Sequence, residues 1–162
     1  MFELRPITKE GIPRALEKVE RYRLLNEPAE AESICRDILM VEPDHQKALV
    51  MLILTLSDQF GKISSKEAES LLPRLKDAYQ NAYYRGIVYE RLAKAALNRG
   101  TPGSEHDAYE WMEEAMGAFE KAIASRPSGN DDAILRWNAC VRTISSHKLS
   151  PREKEIINPM LE

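Results

Sequence analysis
Hydrophobic positions recur along this chain every three or four residues, the period of a helix that buries one stripe of its surface. Ala15, Leu16, Val19 and Tyr22 place a first helix over about Pro13 to Leu25, with the proline tolerated in the first turn. A break at Asn26 to Pro28 leads into a second helix, Pro28 to Val41, which Glu42-Pro43 must stop. Proline cannot continue a helix and keeps the residue before it out of helical angles. So short a connection predicts antiparallel neighbours. The third helix, Gln46 to Gln59, is apolar nearly all round through the run Ala48 to Leu56, so it must be packed on several sides. Gly61 closes the following turn, and the spacing of Ser64 and Glu67 predicts a capping box for a fourth helix. Pro73 should kink or divide that helix, whose apolar face is Leu71, Leu72, Leu75 and Ala78.

Two longer patterns follow. The fifth helix carries Gly86, Ile87, Tyr89, Leu92 and Ala93 and continues through Ala96 and Leu97 to Gly100. After the loop Thr101 to Ser104, where Ser104 and Asp107 are spaced to cap, a sixth helix runs to about Ser125. A seventh, Asn130 to Ser146, has Ile134, Leu135, Trp137 and Val141 as its expected apolar face. Ser150 to Glu153 has capping-box spacing for a short eighth helix that Pro159 ends, with Ile156, Ile157, Met160 and Leu161 to bury.

Within these helices one spacing occurs twice: Ala31, Cys35, Ile38, Pro43 and Ala115, Phe119, Ala122, Pro127. A small residue, a larger one four later, another three later and a proline five beyond resembles the second helix of a tetratricopeptide repeat. Arg85 to Ala93, with Gly86 and Tyr89, resembles the first helix of such a repeat, where the glycine permits close helix approach. The resemblance covers about residues 12–146, is weak outside these stretches, and departs from a regular array in repeat length. It implies an all-α fold, a right-handed α-α superhelix of helix pairs over about 12–45, 46–78 and 79–129. Residues 130–162 would be a capping helix and the short C-terminal helix covering the end of the stack. Both helices of the third pair exceed the usual length, so they project beyond the stack. The projection is either extra helical surface or a docking or dimer surface carrying Tyr109 and Trp111.

Composition narrows the classes open to the chain. With 162 residues, 30% charged and few glycines, it can bury a sizeable core. A net charge of −3 offers neither nucleic acid nor an anionic membrane an electrostatic footprint. The longest apolar run is about half the roughly 20 residues that span a bilayer. Met1 to Pro6 has an acid where a secretory signal is cationic. A cytoplasmic protein is the simplest expectation. Cys35 and Cys140, each alone on an apolar helical face, read as reduced core thiols rather than a disulfide or metal pair.

No constellation of catalytic groups stands out. His45, His106 and His147 are far apart and fall at turns or helix ends, and neighbouring acids such as Glu113 and Glu114 point in different directions on a helix. No phosphate-cradling loop, nucleophile elbow or metal-ligand pair occurs. The expectation is a non-enzyme with no cofactor and no metal. What the resemblance implies instead is a concave face made by the first helix of each pair. That face would carry Leu16, Glu20 and Arg23, then Lys47, Val50, Leu54 and Asp58, then Tyr83, Ile87, Glu90 and Arg91. Leu16 and Glu20 stand where many members of the family place a lysine and an asparagine that grip a peptide's terminal carboxylate. The expected binding surface is therefore an apolar strip of Leu16, Val50, Leu54, Tyr83 and Ile87 with Arg91 at its edge, suited to a protein segment whose apolar side chains enter pockets. Alternatively the strip is filled by residues 2–7 or by the Ile156 to Leu161 tail. The expected function is a scaffold or adaptor for a protein or peptide partner. The alternatives are a self-associating structural protein, forming a homodimer, and a chaperone for a secreted client of the kind found among bacterial secretion proteins.

Overall fold
A computed structural model describes residues 1–153 of the chain. Within them lie seven α-helices: α1 (Ile12–Leu24), α2 (Pro28–Val41), α3 (Gln46–Ser57), α4 (Lys66–Leu71), α5 (Ala78–Arg99), α6 (Ser104–Ser125) and α7 (Asp132–Ser146). Short 3-10 turns, Lys9–Gly11 and Leu72–Arg74, precede α1 and follow α4. Among the described residues there is no strand, only an isolated bridge between Phe60 and Ile63. The short helix expected after Ser150 lies outside the described residues.

The sequence dictates most of these boundaries. Pro28 opens α2 in its first turn, and the His45 ring accepts from the Ala48 N–H at 3.1 Å to cap α3. Asp77 caps α5 through Tyr79 and Gln80 at 2.8 and 3.3 Å, and Gly100, at φ 60°, ends it in the left-handed conformation that glycine adopts at least cost. Pro73 divides the fourth helix as expected, leaving α4 only six residues long. Leu72 O, which no continuing helix satisfies, instead accepts from Leu75 N and, at 2.8 Å, from the Asn81 amide.

Of two expected capping boxes, the first is only half formed, Ser64 Oγ accepting from the Lys66 N–H at 3.2 Å, and the second is absent. Glu67 does not return to Ser64. Both its oxygens take Arg36 of α2 at 2.9 Å, while Ser65 bonds Glu69 at 2.8 Å. A bidentate guanidinium outcompetes a single backbone N–H. Likewise α6 starts after Gly103, Ser104 is buried, and Asp107 turns to Arg99, at 3.1 Å, and to Arg152.

Helices adjacent in sequence pack together: α1 with α2, α2 with α3, α3 with α4, α5 with α6 most extensively, and α6 with α7. Between these pairs α1 meets α3 and α3 meets α5. As its all-round apolar pattern requires, α3 is central, with Ala48 to Ile53 and Thr55 to Ser57 buried. One cluster of core side chains is built around α3 from Val19, Ala31, Cys35, Ile38, Leu72 and Val88. A second joins α5, α6 and α7 through Ala93, Met112, Ala115, Phe119 and Cys140. Leu54, Tyr84 and Tyr89 pack against both. Ala31, Cys35, Ile38, Ala115, Phe119 and Ala122 are all buried, so the two copies of the repeated spacing do mark the packing face of their helices. Gly86 faces Phe119 so closely that a Cβ there would lie 2.4 Å from the ring.

In α7 the buried face differs from the expected one. Ala133 and Cys140 face the core, whereas Leu135 and Val141 are 61% and 44% exposed and Ile134 and Trp137 are half-buried. With α6 as its main neighbour among the described residues, α7 covers one narrow stripe, and small side chains fill it.

Candidate functional site
The first helices of the proposed pairs, α1, α3 and α5, together with α7, are joined by a row of charged side chains. Glu20 of α1 pairs with Lys47 at the start of α3 at 3.3 Å. Arg23 of α1 holds Asp58, just past the end of α3, through Nε at 2.8 Å and Nη2 at 3.3 Å. Arg91 of α5 donates to the same carboxylate. Further along α5, Glu90 is buried and accepts from Arg136 of α7, Nε at 3.1 Å, and from Lys94 at 3.1 Å. Residues that the resemblance placed on one face (Glu20, Arg23, Lys47, Asp58, Glu90 and Arg91) thus meet across three helix–helix junctions.

The apolar strip beneath them is a correction to expectation. Leu16, Val50 and Ile87 keep only 7%, 7% and 8% of their surface accessible, so they belong to the core rather than to an open groove. Leu54 is half-buried where the two core clusters meet. Tyr83 is half-buried in an aromatic group, its ring centroid 5.1 Å from Tyr84, 5.7 Å from Tyr79 and 5.9 Å from Phe119. Burial, followed by the negative charge of Asp132, pushes the Tyr83 phenol up to about 12. Arg91 alone of the six expected contact residues projects a charged group at the rim. The N-terminal segment does not fill the face, since Phe2 and Leu4 are exposed and only Ile7 packs against the core near α1. The tail from Ile156 lies outside the described residues.

Two depressions flank the Asp58 cluster. One, of about 620 Å³, has walls of Glu20, Arg23, Leu24, Met51 and Arg91, and the other, of about 530 Å³, is bounded by Glu27, Glu30, Phe60 and Lys62. Asn26, Pro28 and Asp58 border both. Spacing gave no sign of Leu24 and Asn26 here. The available signal was a pair of leucines running straight into a turn, where a stripe pattern has no use for them.

Elsewhere, Trp111 does not stand free on the long α5–α6 pair but stacks on Tyr89 at 5.5 Å. His106 and His147, distant in sequence, border one depression near the α5–α6 turn. Each ring Nδ1 lies against a backbone carbonyl, Ser150 O at 2.9 Å and Thr143 O at 3.1 Å. No group of three or more metal-binding side chains is assembled among the described residues. Burial pushes both thiols, Cys35 and Cys140, up to about 12, which removes their nucleophilic form at neutral pH. No helix among the described residues is long and apolar enough to cross a membrane. Neither a protein-family model, nor a curated relative, nor a solved structure matches the chain.

Proposed function
We propose that this protein is a non-catalytic interaction scaffold, a right-handed stack of three helix pairs of tetratricopeptide type, that binds a segment of another protein across the face shared by α1, α3 and α5. The observation that carries the reading is the row of ion pairs from Glu20 to Arg136. It links alternate helices, as the inner face of a stack of helix pairs would. Half-buried Leu54 and Tyr83, rimmed by Arg91 and the Arg23–Asp58 pair, are the mixture of apolar anchors and partly covered charge from which hot spots are made. The inert thiols support a non-enzymatic role. Peptides selected from a randomised library should shift the amide resonances around Leu54, Tyr83 and Arg91. Shifts confined to α2, α4 and α6, or the absence of any selected peptide, would overturn the proposal.

A second reading rests on α7. Its exposed Val141 and half-buried Trp137, four residues apart on the helix, form an apolar flank that suits self-association. Sedimentation over a range of concentrations tests it, with Val141→Lys expected to abolish any dimer.

A further inference from the structure
The charged cluster at Asp58 holds two cations to one anion, as Glu90 with Arg136 and Lys94 also does, but here both cations are arginines and a depression lies on either side. We infer that Arg23, Asp58 and Arg91 form a docking point for the acidic side chain of a partner protein segment, a proposal that rests on the scaffold reading and names the chemistry of its ligand. One carboxylate serves two guanidinium groups. Asp58 Oδ2 accepts from Arg23 Nε, and Oδ1 accepts from both Arg23 Nη2 and Arg91 Nη1. One positive charge is left over. Arg23 Nη1 and Arg91 Nε and Nη2 have no acceptor among the described residues. The two arginine side chains are only 22% and 33% exposed, so their free N–H groups are less well solvated than those of a surface arginine. An incoming carboxylate displaces less water there, and guanidinium–carboxylate bonds are the strong, charge-assisted kind.

The surroundings narrow the ligand further. Glu20, the α1 acid that lines the same depression as the two arginines, is paired with Lys47 at 3.3 Å. On the α1 side, Leu24 is 89% exposed beside Met51 and offers an apolar contact. On the other side, Glu27 and Glu30 line the second depression together with Lys62, and the two acids repel a second acid. Because the two depressions share Asn26, Pro28 and Asp58, a chain can run from one into the other past the arginines. An internal side chain therefore fits better than a chain terminus. The ligand is a segment with one Asp or Glu, an apolar residue on one side and an uncharged or basic residue on the other.

The probe is a synthetic library of short randomised peptides blocked at both ends, run beside the same library with free C-termini. Blocked peptides carrying a single acid at a fixed position should be enriched, and amidating that acid should weaken binding roughly tenfold, the cost of one charge-assisted contact. In Arg91→Gln the acidic and amidated peptides should bind alike, while Arg91→Lys should keep part of the difference. If Arg91→Gln does not fold, a shift of the Arg91 Nε–H resonance in the unmodified protein, given by the acidic peptide and not by the amidated one, decides. Selected peptides without an acid, an acid preference that survives Arg91→Gln, or binding only by free C-termini would each overturn this site while leaving the scaffold reading standing. No selected peptide from either library would overturn both.

Discussion

Gly86 and Phe119 show how a single contact fixes the register of the longest helix pair. A methyl group at Gly86 would meet three ring atoms of Phe119 at 2.4–2.8 Å, and the ring is fully buried. Gly86→Ala should therefore destabilise by about 1–3 kcal/mol through overpacking, lowering Tm by roughly 2–4 °C per kcal/mol for a chain of this size. Phe119→Ala should cost more, about 3–5 kcal/mol, and in that background Gly86→Ala should cost little, because the clashing ring is gone. Thermal melts of the four proteins test the pair, and full additivity would refute the contact. The thiols act at the same scale. Folding raises Cys35 and Cys140 to about 12, mainly by burial, above an ordinary value of 9.0. The unfolded chain therefore loses these protons first. Their contribution to stability is complete below about pH 9 and is lost as pH rises toward 12. In C35A/C140A the alkaline decline in denaturation midpoint should begin later, near where tyrosines titrate.

At the scale of elements, the chain declares its helices more plainly than it declares their faces. Pro28 and Pro43 bracket α2, the repeated small-and-large spacing marks the buried side of α2 and α6, and the all-apolar run places α3 at the centre. What failed is what depends on neighbours. In α7 large residues were weighted over small ones, yet the helix buries Ala133 and Cys140. Hydrophobic size says how much a face could gain from burial, not which face has something to bury against. Leu135→Lys should accordingly change stability by less than about 0.5 kcal/mol, whereas Ala133→Leu should cost about 1–3 kcal/mol. Denaturant titration of both variants separates the observed face from the expected one. Glu67 failed as a cap for a related reason, since Arg36 arrives from a different helix. Because that pair is nearly half exposed, Glu67→Gln should cost no more than about 1 kcal/mol. Its clearer signature should be faster amide hydrogen exchange across 66–74, since this six-residue helix cannot hold itself without tertiary ties. Leu16, Val50 and Ile87 belong to the same lesson. The repeat resemblance put them on an open face, but packing against neighbouring helices buries them.

For the whole molecule the question is what keeps alternate helices in line, and Asp58 is the residue on which that turns. It touches α1 through Arg23 and α5 through Arg91, so one carboxylate sets the separation of three helices. Asp58→Asn keeps the shape but leaves two partly covered guanidinium groups facing each other with no counter-charge. Removing one partner of a fully buried ion pair costs about 3–5 kcal/mol, and the 19–33% exposure of these side chains scales that down to roughly 1–3 kcal/mol. The sign of the salt response is the decisive observable. In the unmodified protein added salt screens an attraction, so this cluster should lose a little of its contribution. In Asp58→Asn salt screens the repulsion between Arg23 and Arg91, so the variant should regain part of its lost stability between low and near-molar ionic strength, where the screening length falls from about 30 to 3 Å. Arg23→Gln added to Asp58→Asn should relieve the same repulsion without salt and erase the variant's salt dependence. A salt response of equal sign and size in the unmodified protein and in Asp58→Asn would mean that the three side chains do not act as a unit, and that the helices are aligned by the core beneath them alone.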